Sequence, residues 1–129
     1  MIILDTHIWI WWVQDDPRLT EKHRQYLQEY GTAGLGVSIF SCWEVAKLVE
    51  KGRLVLPVGV DEWLKTALGY PGVQLIDLTL PIVIQATQLE GFHNDPADQI
   101  IVATAQIQNC PLLTVDSQIV NYPYVQVLK

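Results

Sequence analysis

The stretch "HNDPADQIIVATA", residues 93 to 105, sets two carboxylates three positions apart across a proline, directly ahead of an apolar run. Asp95 fits the N-cap of a helix, Pro96 its first position and Asp98 its third, where negative charge is favoured. Capping accounts for both aspartates. Asp98 has one property that capping does not require: Ile101, Val102 and Ala105 follow it at helical spacing, so its side chain begins an apolar stripe. A carboxylate there loses hydration at a cost, unless a cation or hydrogen-bond donors compensate.

Three further acids occupy comparable places. Asp5 ends the apolar run "IIL", and Asp116 ends "LLTV" and precedes "SQIV"; each alone reads equally as a turn or cap residue. Glu44 follows Ser41 by three positions, the spacing of a capping box in which the glutamate reaches back to the Ser41 amide. Jointly, Asp5, Glu44, Asp98 and Asp116 all fall at strand-to-helix junctions or first helical turns. Carboxylates gathered in this way suit hard cations such as Mg²⁺ or Mn²⁺, which take oxygen ligands and leave positions for water and phosphate oxygens. Two such ions, roughly 4 Å apart, activate a water and stabilise the leaving oxygen of a phosphodiester displacement, so no nucleophilic side chain is needed.

The elements that must position these acids alternate along the chain. Short β-branched, apolar runs at 2–4, 35–39, 73–78, 112–115 and 124–128 read as strands. Helical patterns lie between them, at Ile8 to Val13, Arg18 to Tyr30, Trp43 to Lys51, Val60 to Leu68, Pro81 to Leu89 and Pro96 to Gln108. This predicts an α/β fold in three layers, α/β/α, with a central parallel sheet covered on both faces by helices. Ligands of such sheets bind at the carboxyl ends of the strands, where the four acids fall.

With 129 residues, half of them hydrophobic, the chain is expected to form one domain over 1–129, without repeats or linkers. No apolar stretch approaches the roughly 18 residues of a membrane span, and the start lacks the pattern of a signal peptide, so a cytoplasmic protein is expected. Cys42 and Cys110 have no metal-ligand spacing and read as buried free thiols. A formal charge of −6 argues against nucleic-acid binding through a broad basic surface. It leaves room for a nuclease whose cations reverse the local sign.

In order and spacing, "ILDTHIWIWWV", "SIFSCWEVAKLVEKGRLVLP", "HNDPADQIIVATA" and "LLTVDSQI" resemble the PIN-domain ribonucleases, specifically VapC-type toxins of type II toxin–antitoxin pairs. The resemblance covers essentially the whole chain. It implies Mg²⁺- or Mn²⁺-dependent endonucleolytic cleavage of RNA, a cognate antitoxin and a homodimer. Residue by residue it implies that Asp5, Glu44, Asp98 and Asp116 are the metal-binding catalytic acids, with Asp95 an additional acid beside them. Thr114 matches a Ser/Thr-x-Asp pattern and Thr6 is the neighbour of Asp5; both would support the metal shell. Gln99 departs from the pattern, standing where an arginine often follows the third acid, which removes a cation that would orient carboxylates or grip phosphate.

Lys47 and Lys51 share the helical face of Glu44, and Arg53 lies just beyond Gly52. They read either as RNA-phosphate contacts or as a solvated face with an ion pair. His93 and His7 read as acid–base candidates or as structural histidines. Trp9, Trp11 and Trp12 make the first helix apolar on every side, to be covered by an antitoxin segment, a second copy or another helix of this chain. Two rival functions are a PIN-like module that binds RNA or a partner without cutting, and a phosphoacceptor receiver. The receiver requires a late-strand lysine, and none occurs between Lys65 and Lys129.

Overall fold

The computed structural model describes residues 1–129. Four strands, β1 (Ile2–Leu4), β2 (Leu35–Ser38), β3 (Val73–Ile76) and β4 (Leu112–Leu113), form one parallel sheet in the order β3-β2-β1-β4. Seven helices connect and cover them: α1 (Thr6–Val13), α2 (Glu21–Tyr30), α3 (Ile39–Glu50), α4 (Val60–Leu68), α5 (Leu80–Ala86), α6 (Pro96–Gln108) and α7 (Ser117–Val120).

Because strand side chains alternate between faces, β1 divides its residues between two cores. Ile2 and Leu4 join Leu35 and Val37 beneath α1 to α4, with Trp9, Val45 and Trp63 at the centre. Ile3 points the other way, into Ile82 of α5, Ile101 and Val102 of α6, and Ile119 of α7. The result is the three-layer arrangement expected. Gly36 in β2 leaves room for its neighbours, since a Cβ there would come within 2.6 Å of Ile76 Cδ1 and 2.8 Å of Ile3 Cδ1 and those side-chain ends would have to shift.

Several expected elements are corrected. The run at 124–128 is not a strand; it touches the sheet through one bridge, Val127 to Leu112, because β4 offers it only two residues. The expected full cover fails at β3, the sheet edge, where Gln74 and Leu75 are exposed. Helix α3 begins at Ile39, capped by the Ser38 side chain, so residues read as the end of a strand and as a loop are helical. Helix α2 starts at Glu21 rather than Arg18, because Thr20 and His23 form a reciprocal cap there.

The tryptophan-rich helix is covered mainly by its own chain. Trp9 is fully buried, edge-on to Trp63 at 5.3 Å, and Trp12 packs edge-on against Tyr70 at 5.4 Å. Half-buried Trp11 lies under the Arg18 guanidinium, 5.1 Å from the ring centre. Cys42 is buried as expected, whereas Cys110 is only half-buried; both thiols are free. No helix is long and apolar enough to cross a membrane.

Candidate active site

The adjacent strands β1 and β4 end side by side, and their first residues beyond the sheet carry the innermost acid. Asp5 is 5 % exposed. Its Oδ1 accepts the Thr6 amide at 2.7 Å, and its Oδ2 accepts the Thr114 hydroxyl at 2.6 Å, across 109 positions of sequence. Thr114 in turn accepts the Asp116 amide at 3.1 Å, so one hydroxyl ties both acids to the end of β4. Burial pushes the Asp5 carboxyl above its ordinary pKa, against the Thr114 and Thr6 hydrogen bonds, which hold it down.

Glu44 does not form the expected capping box. Ser38, not Ser41, caps α3, so Glu44 lies in the second turn. From there it reaches α1: the Thr6 hydroxyl donates to Glu44 Oε1 at 2.5 Å and lies 2.8 Å from Ser41 Oγ. Having one proton, Thr6 gives it to the carboxylate and leaves Ser41 to donate back. Burial raises the Glu44 carboxyl, and the Thr6 hydrogen bond opposes this.

At the start of α6, Asp95 is the N-cap, with Oδ1 accepting the Ala97 and Asp98 amides at 2.9 and 3.2 Å. Pro96 follows at the first helical position. Asp98 sits above the buried stripe of Ile101, Val102 and Ala105 and is 14 % exposed. Its carboxyl is pushed up to about 8, first by burial and then by the negative charges of Asp95, Asp116 and Asp5. His93 Nε2 lies 3.0 Å from Asp98 Oδ2, outside hydrogen-bonding alignment. Gln99, at the position expected to weaken the site, donates from Nε2 to the His93 carbonyl at 3.0 Å and so steadies the loop beside Asp98.

Asp116 caps α7, accepting the Gln118 amide at 2.9 Å. Capping and gathering at one edge are therefore compatible: Asp5, Asp95 and Asp116 each cap a helix, and each raises the Asp98 carboxyl. The structure thus brings Asp5, Asp95, Asp98 and Asp116 within electrostatic reach of one another, with Glu44 influenced by Asp5 and Asp95. No lysine or arginine is buried among them; the bases nearest the acids are His93, with Nε2 3.0 Å from Asp98 Oδ2, and His7, whose charge lowers Asp5 and Glu44. No three His, Cys, Asp or Glu side chains surround a common point closely enough to hold an ion as they stand. What the donor set offers a divalent cation is hard oxygen and uncompensated negative charge.

Lys47, Lys51 and Arg53 lie on one side of this edge, lining a cavity of about 360 Å³ that also reaches Glu44 and Asp95. Lys47 pairs with Glu50, not Glu44, at 2.7 Å on the exposed side of α3. His7 is exposed beside Asp5 and tilts against Trp11, with ring centres 6.1 Å apart. The sequence did not single out Ser41 as a partner of Thr6, nor Trp43 beside Glu44. Trp43 carried a signal, being a large aromatic next to an acid near three cations.

A family model described as PIN domain matches residues 2–123. Ribonuclease VapC22 of Mycobacterium tuberculosis is 30 % identical over 119 residues, covering 92 % of this chain and 88 % of its own. Among solved structures, VapBC2 from Rickettsia felis bound to a promoter DNA fragment superposes with a TM-score of 0.74 at 17 % identity, covering 99 % of this chain and 98 % of that one. FitAcB from Neisseria gonorrhoeae gives 0.70 at 22 % identity, covering 100 % and 97 %. These two likenesses establish the shared fold.

Proposed function

The chain belongs to the PIN domain family, and from that premise we propose that it is an endoribonuclease toxin of a toxin–antitoxin pair, hydrolysing RNA phosphodiesters with water. The similarity to a protein named a ribonuclease supports the activity. A solved structure of like fold described as a toxin–antitoxin complex, from Klebsiella pneumoniae, supports a cognate antitoxin as partner, and a homodimer belongs to the same reading. The observation that carries the proposal to this chain is the gathering of Asp5, Asp95, Asp98 and Asp116 at one sheet edge, where burial and the other three charges raise the Asp98 carboxyl. A fold pays for such repulsion where a cation relieves it.

In this reading Asp5, Glu44, Asp98 and Asp116 hold Mg²⁺ or Mn²⁺, with Asp95 beside them. The cation supplies an activated water and stabilises charge on the phosphate. Thr114 and Thr6 orient Asp5 and Glu44 through their hydroxyl hydrogen bonds. Lys47, Lys51 and Arg53 meet phosphates along the adjoining cavity.

The test is incubation of the purified protein with single-stranded and structured RNAs, with and without Mn²⁺, beside the Asp98→Asn variant. Cleavage by wild type in Mn²⁺ alone, with none by a folded Asp98→Asn protein, is expected. A variant that cuts as fast as wild type sinks the assignment of Asp98. RNA bound but uncut at every metal concentration instead identifies a non-cleaving binding module.

A further inference from the structure

The chain has only eight lysines and arginines, and three of them line the cavity between α3 and the start of α6. Elsewhere Arg18 and Arg24 are paired with Asp16 and Asp15, and Lys22 is bound to the Lys129 carbonyl. Lys51 and Arg53 take part in none of the chain's ion pairs. Against a net charge of −6, this is a local concentration of uncommitted positive charge. Its acid end is Glu44 and Asp95.

On the same wall stands Trp43, which is 54 % exposed although most large aromatics of the chain are at least half-buried. Phe40, lining the same cavity, lies beside it, with ring centres 5.1 Å apart and planes inclined at 37°. Lys47 Nζ is 6.0 Å from the indole centre, at the outer limit of a cation–π contact, and its pair with Glu50 is exposed. Both contacts yield easily to a flat ligand.

We infer that Trp43, flanked by Phe40, is a stacking platform for one unpaired base of the RNA, with the flanking phosphates along Lys51 and Arg53. This rests on the ribonuclease reading and adds how the strand is held beside the acids. An apolar peptide on Trp43 would have to desolvate Lys51 and Arg53 without neutralising them. A nucleotide satisfies both features at once, its base covering the indole and its phosphate meeting the cations. A base inside a duplex has no free face to offer, so the platform selects unpaired nucleotides.

The test measures fluorescence anisotropy of labelled oligoribonucleotides in EDTA, so that cleavage does not interfere, comparing a single strand, the same strand with an abasic position moved along it, and a duplex. Trp43→Ala should weaken single-strand binding about tenfold, Trp43→Phe should retain most of the affinity, and one abasic register should reproduce the loss in wild type. The salt slope should be unchanged by Trp43→Ala and should fall by roughly one to two in the Lys51→Ala/Arg53→Ala protein. If Trp43→Ala, with an unaltered circular dichroism spectrum, binds the single strand as wild type does while wild type cleaves RNA in Mn²⁺, the platform is overturned and the ring is left as a protein-docking surface. If wild type neither binds nor cleaves RNA, the ribonuclease reading falls and the platform with it.

Discussion

The acidic edge has two halves built on different principles. In one, Asp5 and Glu44 are pinned by the Thr6 amide and the hydroxyls of Thr6 and Thr114, at 2.5 to 2.7 Å. In the other, Asp98 is raised by burial, by its neighbours' charges and by a hydrogen bond with Asp116, while Asp95 and Asp116 each use an oxygen for capping. The first half is a fixed frame. The second is held in place by helix starts and stays under electrostatic tension.

The comparison breaks most visibly through pH and metal. The Asp98 carboxyl is raised in the folded state, so the native protein holds a proton that the unfolded chain releases, and metal-free stability falls as pH rises from about 4 to about 8. The loss attributable to this group is at most on the order of 5 kcal/mol. Thermal melts in EDTA across that range should show it. Asp98→Asn should flatten the decline, and Mn²⁺ should reverse it in wild type; a wild-type melting profile indifferent to both would remove the tension from the second half.

A smaller effect separates the frame. Thr114→Val removes a buried donor to Asp5 and strands the Asp5 Oδ2 lone pairs, which should cost about 1 to 3 kcal/mol in denaturant melts. Cleavage should fall as well, because Asp5 loses its orientation. Full activity with full stability in this variant would mean that the frame is not fixed by that bond.

The smallest effect is expected at Asp95. Asp95→Asn preserves the cap acceptor and should change stability by only a few tenths of a kcal/mol, whereas Asp95→Ala should cost about 1 kcal/mol. Asp95→Asn also removes a charge that raises the Asp98 carboxyl, so the metal-free decline should be smaller and should end at lower pH. An unshifted profile would detach Asp95 from the cluster.

The residues that were hardest to read from the sequence were those whose partners are distant in it. Asp95, Pro96 and the stripe beneath Asp98 were legible, because N-cap chemistry and helical periodicity are local. Glu44 was misread locally. The S-x-x-E spacing is a real capping signal, but Ser38 starts the helix earlier, and the glutamate is bonded to Thr6, 38 positions away. The segment 124–128 has the composition of a strand, yet pairing depends on the length of the neighbour available, and β4 is two residues long. The edge strand β3 looked fully buried because its apolar content does not reveal which strand stands last.

Composition, alternation and the acids at strand-to-helix junctions by themselves determined a three-layer α/β chain with a carboxylate-lined sheet edge. These follow from hydrophobic periodicity and backbone capping, which act over a few residues. Only the tertiary structure decided that Thr114 reaches Asp5, that Thr6 rather than Ser41 holds Glu44, and that Trp43 is left open beside three cations. The strand order β3-β2-β1-β4 sets those distances, and parallel pairing joins segments that no local preference brings together.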